Sequence, residues 1–529
     1  TYDYFNGDTR NGEVWRNSKF DELKTFELLT DYSFTFDQKH KTTFLLGYSY
    51  QEHNWEGFNL YNYNFPTELL SYNKPGLGLA MKDGNGSMDG YKAMSKLISG
   101  FVRINYSYND KYIASFSLRR EGSTKFGENN KWGTFPSVSV GWTISKEPFM
   151  KELKWLDNLK TRIGYGVTGA EPNSPYLSIN RYSYSSPVLS EGEWVWSVGP
   201  SINNNPDLRW ETKKELNLGI DYSFIKGRIS GSVDFYNRRT DDLIYTYQVP
   251  VPPNLVSDIY ANVGSITNSG LEVLISTIPV QQKNFVWNIS ANFSLNKNNL
   301  TKLSNEMYQR DFLELGATGA PIQKSTHIVR EGEPIGNFYG WKSASITADG
   351  SKWLDVNGNP ITMENSKREI LGNGIPAAFF GLSSSFRYKG LDASVSLRGV
   401  GDFQILNQYR MLHETFMEGG NQNYPASILN KPYGVNTYVY TAPSYVSYYV
   451  EEGDYLKIDN VTFGYTFKFK KYIEKLRFYL SGLNLYTFTN YSGIDPEVNI
   501  LGLSPGIDQI GSIYPSTRSV SFGVQISLF

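Results

Sequence analysis

In one segment after another, apolar and polar side chains alternate along this chain with a period of two. That limits the segments to strands whose two faces meet different surroundings. From Leu216 to Phe224, one face takes Leu216, Leu218, Ile220, Tyr222 and Phe224, and the other takes Asn217, Gly219, Asp221 and Ser223. From Phe285 to Asn296, Phe285, Trp287, Ile289, Ala291, Phe293 and Leu295 alternate with Val286, Asn288, Ser290, Asn292, Ser294 and Asn296. The same phase recurs in Tyr112/Ala114/Phe116/Leu118, in Leu159/Thr161/Ile163/Tyr165/Val167 and in Val461/Phe463/Tyr465/Phe467/Phe469. A soluble β-sandwich also alternates, but its outward face is polar. Here one face repeats Phe, Tyr, Trp and Leu while the other repeats Asn, Ser, Gly and Thr. This inverted pattern is expected with lipid outside and water inside, so the reading is all-β, a transmembrane antiparallel β-barrel.

About fifteen strands are expected, near 24–36, 41–52, 97–108, 111–120, 133–145, 159–168, 211–224, 228–246, 266–278, 285–296, 378–388, 391–403, 455–469, 476–488 and 517–528. A tilted strand crosses a bilayer in about 9–11 residues, a length most of these runs reach. Membrane barrels place short turns on the periplasmic side and long loops outside. Short links fall at 37–40, 109–110, 225–227, 279–284, 389–390 and 470–475, with long segments between them at 53–96, 169–210, 297–377, 404–454 and 489–516. The link 146–158 is long enough for a short helix, and 121–132 is a modest outer loop. Alternation brings the last strand down to the periplasmic side, and the first strand runs down as well.

Composition removes other classes. The 51 basic and 52 acidic residues leave no cationic excess for nucleic acid. Cysteine is absent, which excludes disulfides and thiolate metal sites. No apolar run approaches the ~20 residues of a membrane helix; Ala377 to Leu382 is among the longest. The chain opens at Thr1 with no Met and no apolar leader, so it is expected to be part of a longer one.

Several segments in order resemble the SusC/RagA family of TonB-linked outer-membrane transporters. They include NLKTRIGYGVTGAE (Asn158–Glu171), NPDLRWETKKELNLGIDY (Asn205–Tyr222), GRISGSVDFYNRRTDDLIY (Gly227–Tyr245), NVGSITNSGLE (Asn262–Glu272), EGEPIGNFYGW (Glu331–Trp341), the stretch Leu371–Leu397, GDYLKIDNVTFGY (Gly453–Tyr465) and Leu476–Glu497. The resemblance implies a bacterial outer-membrane barrel of 22 strands, a plug domain inside it, energy supplied through TonB, and a SusD-like surface lipoprotein on the outer loops. It also implies an oligosaccharide or peptide as substrate. Fifteen visible strands would leave seven upstream, together with the plug, making the first visible strand the eighth. Two features depart from the family. Val520, Phe522, Val524, Ile526 and Leu528 share one face, which puts the terminal Phe529 on the other, and Asp355–Pro360 (DVNGNP) lacks the second Asp and the Gly of a calcium-like loop.

Candidate sites are few. Asp355 and Asn357 fit the start of an EF-hand pattern, but Pro360 stands where Gly is needed, and a plain loop turn is the simpler reading. His40, His53, His327 and His413 show no ligand spacing, so no metal and no cofactor are expected. Asp241/Asp242 and Glu451/Glu452 read as solvated loop charges, and no nucleophile or phosphate motif appears, so the chain is not expected to be an enzyme. The long loops are rich in aromatics. Tyr176, Tyr182, Tyr184, Trp194 and Trp196 lie in one, and Tyr433, Tyr438, Tyr440, Tyr445, Tyr448 and Tyr449 in another. Such rings stack on sugars or anchor a protein lid, or else they pack the loops themselves. The leading expectation is an active importer. A passive porin is the alternative, and a soluble adhesive or carbohydrate-binding β-protein the third class.

Overall fold

A computed structural model of the chain describes residues 2–3, 10–67, 69–305, 307–417, 423–509 and 514–528. Its frame is a fifteen-stranded antiparallel sheet: β1 (Glu13–Phe36), β2 (His40–Tyr63), β3 (Ser87–Tyr108), β4 (Tyr112–Ser123), β5 (Trp132–Thr143), β6 (Leu156–Ala170), β7 (Glu211–Phe224), β8 (Ile229–Gln248), β9 (Asp258–Gln282), β10 (Phe285–Lys302), β11 (Ala378–Tyr388), β12 (Leu391–Gly401), β13 (Tyr455–Lys471), β14 (Ile473–Thr489) and β15 (Ser519–Leu528). Each strand pairs with its neighbours in sequence, and β1 and β15 form the two edges among the described residues. The terminal Phe529 lies outside the described residues.

One face of the sheet is apolar and open. Leu218 of β7 stands between Ile163 and Phe235 in register, and all three rank among the exposed large apolar side chains, as do Phe463, Tyr465, Phe467 and Phe469 of β13. The stripes are thus not sealed in a protein core, as a β-sandwich would require. Aromatic pairs gather at the short-turn end, among them Tyr108 with Tyr112 and Trp155 with Phe224, like the interfacial girdle of a membrane barrel.

The opposite face is polar and ties itself across strands. Ser49 bonds Ser99 at 2.7 Å, Ser117 bonds Ser137 at 2.7 Å, and Thr462 bonds Ser481 at 2.8 Å. Arg162 of β6 donates to Asp221 of β7 and Asp234 of β8. Gly219 makes room for that triad, because an added Cβ would lie 2.6 Å from the guanidinium carbon of Arg162.

The strands run longer than the alternation suggests. β1, β2 and β3 continue above the expected 24–36, 41–52 and 97–108, which shrinks the loop expected at 53–96 to residues 64–86. The loops expected at 169–210 and 297–377 also give up residues to strands or fold internally. The cause is solvation: once a hairpin rises out of lipid, both faces are wet and backbone pairing continues without an apolar stripe. Glu22 and Lys24, on the apolar-phase face of β1, pair at 2.9 Å there. In the link 146–158, the short helix reduces to a single 3₁₀ turn, Pro148–Met150, beside another at Ile144–Lys146.

Candidate functional site in the outer loops

The connection from β6 to β7 folds into a hairpin, Arg181–Ser190 against Glu193–Ile202, turning at Glu191 and Gly192, both with positive φ. Its foot is firm. Leu208, Phe126, Trp210, Phe135 and Leu177 form a buried cluster, and the Trp210 indole donates to the Lys131 carbonyl at 3.1 Å. Asn203 fastens the last strand by donating to the carbonyls of Val256 and Asp258.

The rest of the hairpin is bare. Trp194 is 72% exposed and Tyr184 80%. A bulge controls which residues share a face: Ser185 and Ser186 together oppose Ser197. This extra residue reverses the alternation in one strand only. Leu189 and Pro187 pair with Trp194 and Trp196 before the bulge, and Tyr184 and Tyr182 pair with Val198 and Pro200 after it. Tyr182, Tyr184, Trp194 and Trp196 therefore line one apolar face. Tyr176 sits apart at the foot, with φ +64, its hydroxyl accepting from the Met94 N–H at 3.0 Å.

The second aromatic set has the opposite fate. The described residues of segments 303–377, 402–454 and 490–509 fold together through a four-stranded sheet (Phe312–Leu315, His327–Arg330, Asn337–Gly340, Glu369–Asn373) and a three-stranded one (Gln404–Asn407, Val450–Glu452, Ile507–Asp508), beside helix α1 (Gln408–His413). Their shared core contains Phe338, Trp341, Trp353, Leu406, Met411, Tyr445 and Tyr449. Tyr445 is 0% exposed and Tyr449 2%. The Tyr445 hydroxyl donates to the Thr326 carbonyl at 2.8 Å, so its ring is a structural member, which corrects its assignment as a contact residue. Tyr448 is half-buried against Trp353 and Arg410. Tyr433, Tyr438 and Tyr440 lie nearer the surface, the last two packed on Phe416.

A buried ion cluster that sequence reading missed holds this module together. Arg410 of α1 reaches Glu414 at 2.5 and 2.9 Å and Glu451 at 2.6 Å. Glu451 also accepts from Asn407 and from the Ser492 amide. It is thus not the solvated loop charge its sequence suggests. Below, on the polar wall, Lys457 of β13 donates to Glu497 at 2.5 Å and to Ser516 at 2.7 Å, and Arg398 of β12 also grips Glu497, which anchors the last loop inward.

His327 is fully buried on Phe338. Its Nε2 donates to the Pro505 carbonyl at 2.8 Å, and because a carbonyl can only accept, Nδ1 accepts from Thr326 at 2.8 Å. Burial pushes the imidazole down to about 4, so it stays neutral and acts as a strut between two loop segments. In the DVNGNP turn, the Asp355 carboxylate accepts the N–H groups of Asn357 at 2.9 Å and Asn359 at 2.8 Å. The backbone amide of Asn359 chiefly holds that carboxyl below its ordinary range. Among the described residues, no three His, Asp or Glu side chains form a metal-binding group.

Comparison with known proteins agrees with this architecture. A family model described as TonB dependent receptor-like, beta-barrel matches residues 1–485. TonB-dependent receptor P3 of Formosa agariphila is 32% identical over 97% of this chain and 53% of its own length. SusC of Bacteroides thetaiotaomicron is 31% identical over 83% of the chain and 44% of its own. The solved RagAB peptide transporter superposes with a TM-score of 0.82 at 25% identity, over 97% of this chain and 56% of that one. The chain spans about half the length of the curated relatives it matches. With its open apolar wall, polar inner face and folded outer loops, the chain belongs to the TonB-dependent receptor β-barrel family of the bacterial outer membrane and is of the SusC/RagA type.

Proposed function

We propose that this chain is the wall and outer-loop portion of an active importer that takes up a bulky nutrient, an oligosaccharide or a peptide. Energy comes through TonB, and a SusD-like surface lipoprotein works with it at the outer loops. The observation that carries this reading is the folded loop module. Its aromatic core and the Arg410 cluster tie the loop segments into one packed module at the long-loop end of the strands, suited to shaping a binding mouth. The aromatic face of hairpin 181–202 is the contact surface offered to the lipoprotein, with Tyr182, Tyr184, Trp194 and Trp196 as anchors. Open sheet edges do not persist in hydrocarbon, so β1 and β15 need further strands between them. A plug and seven more strands, which would make β1 the eighth of 22, are the proposed complement.

The test is uptake by cells expressing the whole gene product. Removal of TonB is expected to abolish uptake, and Trp194→Ala/Trp196→Ala to release the lipoprotein on co-purification. Uptake of small neutral solutes that persists without TonB would make the protein a passive porin instead.

A further inference from the structure

The short-turn rim of the sheet is electrically uneven. Along β1–β5 its charges are matched: Lys41 holds Asp110 at 2.8 Å, Lys39 holds Asp37 at 3.3 Å, and Lys111 holds Glu147 at 2.9 Å. Along β11–β14 they are not. Segments 387–392 and 468–477 carry Arg387, Lys389, Lys468, Lys470, Lys471, Lys475 and Arg477 against Asp392 and Glu474 alone.

Arg387, Lys468, Lys475 and Arg477 line a single recess of about 630 Å³ with Asp392 and Gln525. Both carboxylates near it are already engaged. Asp392 accepts Arg477 at 3.0 and 2.5 Å, and Glu474 is held by Lys475 at 2.6 Å. Among the described residues, neither Arg387 nor Lys468 has a carboxylate within ion-pair distance. Lys468 also stands directly across from Lys475 in the β13–β14 register. Like charges directly opposed on one face destabilise a sheet, and a carboxylate at either position would relieve it. A wall that answered only to its own stability has no reason to keep the pair.

We propose that this recess on the inner wall seats an acidic segment of the domain that fills the barrel, whose carboxylates complete the ion pairs left open on β11–β14. The proposal rests on the reading of the chain as the wall of a plugged importer. The recess lies on the polar face of the sheet, opposite in phase to Phe463, Tyr465 and Phe467, so a lipid headgroup does not reach it from the membrane. It sits at the short-turn end, far from the loop module where a nutrient first binds. The chain spans about half the length of its relatives, so protein of the required extent exists in them to fill the site. Carboxylates meet Lys and Arg in charge-assisted hydrogen bonds, which strengthen as a filled lumen excludes water.

The experiment uses the full-length gene product in planar bilayers, with heat-modifiable mobility as the check that each barrel is folded. Wild type and the charge-preserving Arg387→Lys/Lys468→Arg are expected to stay closed. Arg387→Glu/Lys468→Glu, which reverses the two cations left without a carboxylate on the wall, is expected to raise the frequency of large openings about tenfold, the scale of two lost exposed ion pairs. A folded Glu variant as closed as wild type overturns the seat and leaves the importer reading untouched. An unchanged opening frequency with lost binding of polyglutamate also overturns it, assigning the recess to an anionic solute. A wild type that conducts fully from the outset overturns the plugged-importer reading itself.

Discussion

Hairpin 181–202 and the loop module built around Tyr445 and Tyr449 look alike as sequences, each dense in Tyr and Trp between stretches of Ser and Pro. The fold treats them oppositely: Trp194 and Tyr184 stand in solvent, while Tyr445 and Tyr449 are sealed. What separates them is the company brought from far along the chain. Phe338, Trp341, Trp353, Leu406 and Met411 converge on Tyr445 and Tyr449, whereas the two strands of the hairpin pair with each other and leave their rings exposed. Aromatic density measures how much contact area a loop holds, not whether the fold has already used it. Exposed rings on a firm foot are the ones left for a partner.

That contrast can be broken by substitution. Arg410→Met leaves the buried Glu414 and Glu451 without their cation and is expected to cost the module about 3–5 kcal/mol. The measurement is proteolysis of the outer loops across a denaturant series, and a loss under about 1 kcal/mol would remove the cluster as the clamp. Tyr445→Ala is expected to cost about 3–5 kcal/mol in the same assay, as large aromatic truncations in a core do. Resistance equal to wild type would put Tyr445 back among the surface rings.

Acid sharpens the comparison through a titratable group buried in the module. His327 titrates near its ordinary value when unfolded and only at about 4 when folded, so the unfolded module binds more protons between those values. Its stability contribution is complete above about pH 6.5 and falls away toward pH 4, by on the order of 3 kcal/mol. His327→Gln is expected to flatten that window, and an unchanged profile would refute the assignment. The smallest effect on stability belongs to Trp194→Ala/Trp196→Ala, within about 0.5 kcal/mol because both rings are solvent-exposed. Thermal unfolding checks it, and a large loss would show the hairpin face to be a structural core.

The sheet was legible because lipid imposes a strict pattern. All fifteen strands stand where alternation puts them, and β7 and β11 keep their expected ends at Glu211–Phe224 and Ala378–Tyr388. Legibility stops where lipid stops, as the upper parts of β1–β3 pair without an apolar stripe. The hairpin's single face was hidden because the bulge at Ser185 and Ser186 breaks the parity by which Tyr182 and Tyr184 would be grouped with Trp194. The Arg410 cluster was hidden by distance, since Asn407, Glu414, Glu451 and Ser492 come from three stretches of chain. Nothing local marks Glu451 as different from any loop carboxylate.

The account depends on which face of the sheet meets lipid. The chain has no Cys, so with any Cys outside it replaced, single cysteines at 216 to 221 in β7 can carry spin labels in the whole protein in bilayers. Oxygen accessibility is expected to rise and fall with a period of two, peaking at Leu216, Leu218 and Ile220. A flat profile, or peaks at Asn217, Gly219 and Asp221, would contradict it.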